Sequence, residues 1–76
     1  MEYDETKIDE MVLALLRLGL HDECRVWKSF DWDVMDRLHA KGLISDPRGK
    51  AKAVILTEEG ERRSRELFNR HFARKP

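Results

Sequence analysis

A single cysteine among 76 residues excludes an intramolecular disulfide, so the covalent staple common in small secreted domains is absent and a reducing, cytoplasmic setting is the expectation. No apolar run approaches the ~20 residues that a membrane-spanning helix needs. The opening Met1-Glu2-Tyr3-Asp4-Glu5 lacks the basic start of a signal peptide. Proline and glycine, at two and four residues, are too few to build a linker. With no internal repeat or low-complexity segment, residues 1–76 read as one domain. No catalytic or metal signature stands out, and the expectation is a non-enzymatic protein without a cofactor. A domain this short buries only about 60% of the surface its unfolded chain exposes, which leaves association between subunits as a further source of stability.

Charge is balanced overall and polarised along the chain. Residues 1–23 hold seven acids against two bases, a balance of −5, and residues 24–46 cancel at four each. Arg48, Lys50 and Lys52 then add +3, and residues 58–76 add +2 from six bases and four acids, so the last thirty residues total +5. Such polarity either steers an anionic partner to the basic end or serves solubility and pairing between subunits.

Hydrophobic spacing organises the chain into three helices and a hairpin. A first helix is expected over 4–19, capped by Asp4 or Thr6, with Ile8, Met11, Val12, Leu15 and Leu16 as its buried stripe. Leu13, Leu18 and Leu20 widen that stripe beyond what one small core requires, which predicts a second covering surface and a homodimer. Residues 20–30 have no helical period and fit a loop with one short strand near 25–28. Ser29 or Asp31 caps a second helix over 31–41, with Trp32 or Met35, Val34 and Leu38 inward and Gly42 as its stop. Residues 43–46 and 52–57 are expected to pair as a hairpin around the basic turn Asp46-Pro47-Arg48-Gly49-Lys50. Thr57 caps a third helix over 58–73 that buries Leu67, Phe68 and Phe72. The fold class is α+β, a small winged-helix-like domain.

Trp27-Lys28, Phe30-Asp31-Trp32-Asp33, Asp36-Arg37-Leu38-His39, Lys41-Gly42, Ile44-Ser45-Asp46-Pro47 and Leu56-Thr57-Glu58-Glu59-Gly60 together resemble a short bacterial family of unknown function, over nearly the whole chain. That resemblance implies no activity. More distantly, residues 36–60 resemble the recognition-helix, wing and final-helix segment of MarR-type winged-helix repressors. The resemblance implies DNA binding, yet only about eleven residues separate Gly19 from Asp31, too few for the supporting helix of a helix-turn-helix. The helix that would enter the groove also opens with Asp31, Asp33 and Asp36, and carboxylates there repel phosphates.

The candidate nucleic-acid contacts are therefore Arg48, Lys50 and Lys52 on the wing and Arg63 on the last helix. Their competing role is edge protection and pairing with glutamates, with Arg62 to Glu66 and Glu59 to Arg63 at helical spacing. The candidate interface residues are Leu13, Leu18, Leu20, Trp27, Trp32 and Phe72; Trp27 and Trp32 serve equally as the seal of the core between the first two helices. His21 and Cys24 form His-x-x-Cys without a second ligand pair, which reads as a polar loop with a partly buried thiol and not as a zinc site. Two function classes remain: a protein-interaction or self-associating module, and a winged-helix DNA binder that uses its basic wing.

Overall fold

A computed structural model describes residues 2–20, 25–27, 31–48 and 53–74. Asp4 accepts a hydrogen bond from the Lys7 amide and starts α1, Glu5–Leu15, with Glu5 in the first turn where the helix dipole favours an acid. The helix tightens into a 3-10 helix over Leu16–Gly19, a common way to close a C-terminus. β1 is Arg25–Trp27 and α2 is Trp32–Ala40. The α2 cap is Asp31, whose carboxylate accepts the Asp33 amide at 3.0 Å. β2 is Ala53–Ile55, and α3, Glu58–Phe72, is capped by Thr57, whose hydroxyl accepts the Gly60 amide at 3.0 Å.

Gly42 ends α2 at φ 76°, a left-handed conformation that glycine adopts without a Cβ clash. Its amide bonds the His39 carbonyl at 2.9 Å and the Leu43 amide reaches back to Leu38 at 3.0 Å. This is the paired arrangement of a Schellman stop, with Leu38 and Leu43 both in the core.

The sheet differs from the expected hairpin. β1 and β2 pair antiparallel in the register Arg25 to Ile55, Val26 to Val54 and Trp27 to Ala53. The 43–46 limb keeps only a bridge between Ile44 and Leu56. Ser45 explains the reduction. Its amide donates to the Ile55 carbonyl at 2.8 Å, while its hydroxyl, in place of a main-chain carbonyl, accepts the Ile55 amide at 2.9 Å. Asp46 then accepts the Arg48 amide at 2.9 Å and turns the chain at once. β2 is thus flanked on both sides, a sheet compatible with a winged-helix-like arrangement.

α1 is turned relative to expectation. Its inward stripe is Asp9, Val12, Leu13 and Leu16, spaced i, i+3, i+4 and i+7, and Leu13 is 1% exposed. Leu13 is consequently core and contributes nothing to an outer surface, while Ile8, expected inside, is exposed. Trp32 points outward at 51% exposure, and the inward positions of α2 are Val34, Met35 and Leu38. Phe72, also expected inside, is exposed, whereas Leu67 is buried and Phe68 packs at the core edge. Both outliers sit at helix ends, Trp32 as the first residue of α2 and Phe72 as the last of α3. α3 lies across α1, with the buried Ser64 hydroxyl donating to the Leu13 carbonyl at 2.7 Å and Arg17 reaching Glu61 at 3.3 Å.

Candidate functional site

The turned face of α1 carries a buried carboxylate to α2. Arg37 grips Asp9 through Nε, at 3.0 and 2.8 Å to its two oxygens, and through Nη2 at 2.8 Å. Lys41 adds its ammonium at 3.0 Å, and the remaining Arg37 terminus reaches Glu5 at 3.2 Å. Burial of Asp9 works to raise its pKa, but the hydrogen bonds from Arg37 and Lys41 outweigh it and hold the carboxyl below its ordinary value. At neutral pH the group is an anion with its acceptors filled, a cross-link between helices.

Beside this cross-link lies an open cleft of about 300 Å³. Its apolar lining is Leu13, Leu38 and Leu43, and its polar lining is Thr6, Asp9, Glu10, Lys41, Glu59 and Arg63. Lys41 is engaged by Asp9, and Glu59 by Arg62. Glu10 and Arg63 make no ion pair within 4.0 Å among the described residues.

A second arrangement occupies the start of α2. Arg48 folds back on this helix, donating Nη2 to Asp36 at 2.6 Å and Nε at 3.3 Å, with its guanidinium 5.4 Å from the Trp32 ring centre. The bond from Arg48 draws Asp36 below the usual carboxylate range, and Asp36 holds Arg48 more firmly charged in return. Asp31, Trp32 and Asp33 remain exposed around this pair.

α3 carries its own lattice of charge: Arg62 lies between Glu59 and Glu66, and Glu61 joins Arg65 and Arg17. The expected Glu59 to Arg63 pair gives way to Glu59 with Arg62, one residue closer. At the far end Phe72 is 43% exposed, with its ring 5.1 Å from Phe68 and 6.2 Å from His71. Arg70 and Arg74 flank it without an ion pair among the described residues.

The candidate residues are therefore scattered. Arg48 is tied to Asp36, and Arg63 faces the cleft. Leu18 is 73% exposed on the 3-10 helix, and Leu20 is half-buried against the core through its bridge to Val26. Trp27 lends its backbone to β1; its side chain, together with His21, Cys24, Phe30, Lys50 and Lys52, lies outside the described residues. Among the described residues no group of three or more His, Cys, Asp or Glu is placed to hold a metal ion. The Asp9 cross-link went unanticipated, although Asp9 stands at the i−3 and i−4 positions from Val12 and Leu13. An acid aligned with an apolar stripe, facing a helix that offers Arg37 and Lys41 four residues apart, was the available signal.

The profile of DUF6429, a domain of unknown function, matches residues 4–74, from the cap of α1 to just past the end of α3. The chain belongs to the DUF6429 family. A DUF6429 relative, the uncharacterized protein y4hR of Sinorhizobium fredii (strain NBRC 101917 / NGR234), is 61% identical over 74 residues, covering 97% of this chain and 100% of its own. No solved structure matches the chain. The relative is an uncharacterized bacterial protein and brings no activity to this chain.

Proposed function

We propose that this protein is a non-enzymatic, winged-helix-like interaction module of the cytoplasm that pairs with a second copy of itself. One observation carries the reading: the start of α2 presents an exposed tryptophan ringed by carboxylates, with the wing cation Arg48 already committed to Asp36. A duplex-reading helix needs donors and cations at that position. A tryptophan backed by a guanidinium and rimmed by charge is instead the composition of a protein hot spot.

The complementary surface is present on the same chain. Exposed Phe72 at the end of α3 has Arg70 and Arg74 as near neighbours in the chain, and in the proposed contact these bases meet the carboxylates beside Trp32. In a two-fold dimer each contact is made twice. Sedimentation equilibrium at tens of micromolar tests this: a species of twice the 9.0 kDa chain mass supports it, and a clean monomer overturns it.

The competing class, DNA binding through Arg48, Lys50, Lys52 and Arg63, is read by salt-titrated binding to random duplex DNA. Three phosphate contacts would give a slope near −3 on log axes by counterion release, so about −3 is the signature of that class. The interaction module predicts no shift at low salt.

A further inference from the structure

We infer that the cleft between α1, α2 and α3 is a binding site for a small zwitterion with an aliphatic side chain, of the α-amino-acid class. The inference is independent of self-association and rests on different residues. Leu13, Leu38 and Leu43, each almost fully buried, line the base of a space of about 300 Å³, the lower end of the size range of small-molecule sites. Charges of both signs line the same space. Glu10 comes from α1 and Arg63 from α3, and each lines the cleft without an ion-pair partner among the described residues. Opposite charges that share a cleft and do not close on each other leave room for a ligand that carries both.

The fold holds this opening rigidly on one side. Asp9 fixes Lys41 at 3.0 Å, so one ammonium hydrogen is spent and the others are free to donate toward the cleft beside Arg63. Glu59 is ion-paired with Arg62 and feels Arg63 only through a weaker charge interaction, so the Arg63 guanidinium makes no ion pair within 4.0 Å among the described residues. The ligand carboxylate then meets Arg63 and Lys41, its ammonium meets Glu10, and its side chain lies on the leucine floor. A fully apolar ligand would strand the charged rim, and a simple anion would leave Glu10 opposed.

The probe is L-leucine, titrated into the 15N-labelled full chain and followed by amide chemical shifts, with leucinamide and 4-methylpentanoate as controls that lack the carboxylate charge and the ammonium. The expected result is saturable shifts at Leu13, Leu38 and Leu43 at millimolar leucine. Each control should bind at least about tenfold weaker, as expected when one charge-assisted hydrogen bond is lost. Arg63→Gln and Glu10→Gln, both at positions outside the core, should weaken binding similarly while leaving the spectrum of the free protein folded. Shifts that stay linear to tens of millimolar, or controls that bind as well as leucine, would overturn the assignment.

Discussion

A Cβ added to Gly60 would stand 1.8 Å from the Leu43 carbonyl oxygen, a backbone atom that also accepts the Thr57 amide at 3.1 Å. Neither side has a flexible end to move. An ordinary exposed helical Gly→Ala gains up to about 1 kcal/mol, yet here the first turn of α3 must lift away from Leu43. Gly60→Ala should therefore destabilise by about 3 kcal/mol, the upper range for overpacking, and by thermal melting fall about 12–24 °C below the parent. Asp9 gives an asymmetric pair of variants. Arg37→Leu strands a carboxylate that is 2% exposed, leaving only Lys41 to answer it, and should cost about 3 kcal/mol. Asp9→Leu extends the stripe to Val12 and Leu13 and leaves two cations that reach water, so its cost should stay below about 1 kcal/mol. Equal losses in urea unfolding would show that the cross-link is not the buried-charge device described.

At the scale of elements, the helix ends were the most legible part of the chain, because their signals are local. Asp4, Asp31 and Thr57 cap where short oxygen-bearing side chains precede apolar periods, and Gly42 stops α2 where a left-handed residue is required. Thr57 also donates to the Gly42 carbonyl at 2.7 Å, tying the end of α2 to the start of α3. Thr57→Ala should cost about 1–2 kcal/mol, at the upper end for a cap, and Thr57→Ser should recover most of it; the two melting temperatures check this. What escaped the sequence reading was set by partners far along the chain. Spacing places Asp9 on the apolar stripe, but a hydrophobic count omits it, and the whole of α1 is then rotated so that Leu13 reads as surface. Residue type leaves Trp32 or Met35 as the inward position, and Met35 takes it while Trp32, the first residue of its helix, is half exposed. The reduction of the 43–46 limb to a single bridge depends on the Ser45 hydroxyl replacing a main-chain acceptor, which no propensity records. Of the site, the sequence marks only single members such as Arg48 and Arg63; their engagement with Asp36 and with the cleft is tertiary.

For the molecule as a whole, charge governs acid stability and, in the proposed pairing, association. Asp9, Asp36, Glu59 and Glu61 all lie below their ordinary values of 3.8 and 4.5 in the folded chain. Depressed carboxylates favour the folded state above those values, and that contribution is lost as pH falls through the lowered ones. The three glutamate and aspartate groups paired nearer the surface are screened and add little, so Asp9 should dominate. Unfolding measured between pH 7 and 2 should show stability falling below about pH 4 in the parent, with a visibly shallower fall in Asp9→Leu. No helix among the described residues is long and apolar enough to cross a membrane.

Sedimentation equilibrium of a reciprocal charge swap tests the proposed pairing most directly. Asp33→Arg and Arg70→Glu each place like charges across the contact between the Trp32 face and the Phe72 end, and each alone should yield monomer. The double variant restores opposite signs with the polarity inverted, and should return to the dimer mass shown by the parent. A parent that is monomeric at tens of micromolar, or single variants that remain dimers, would contradict the account.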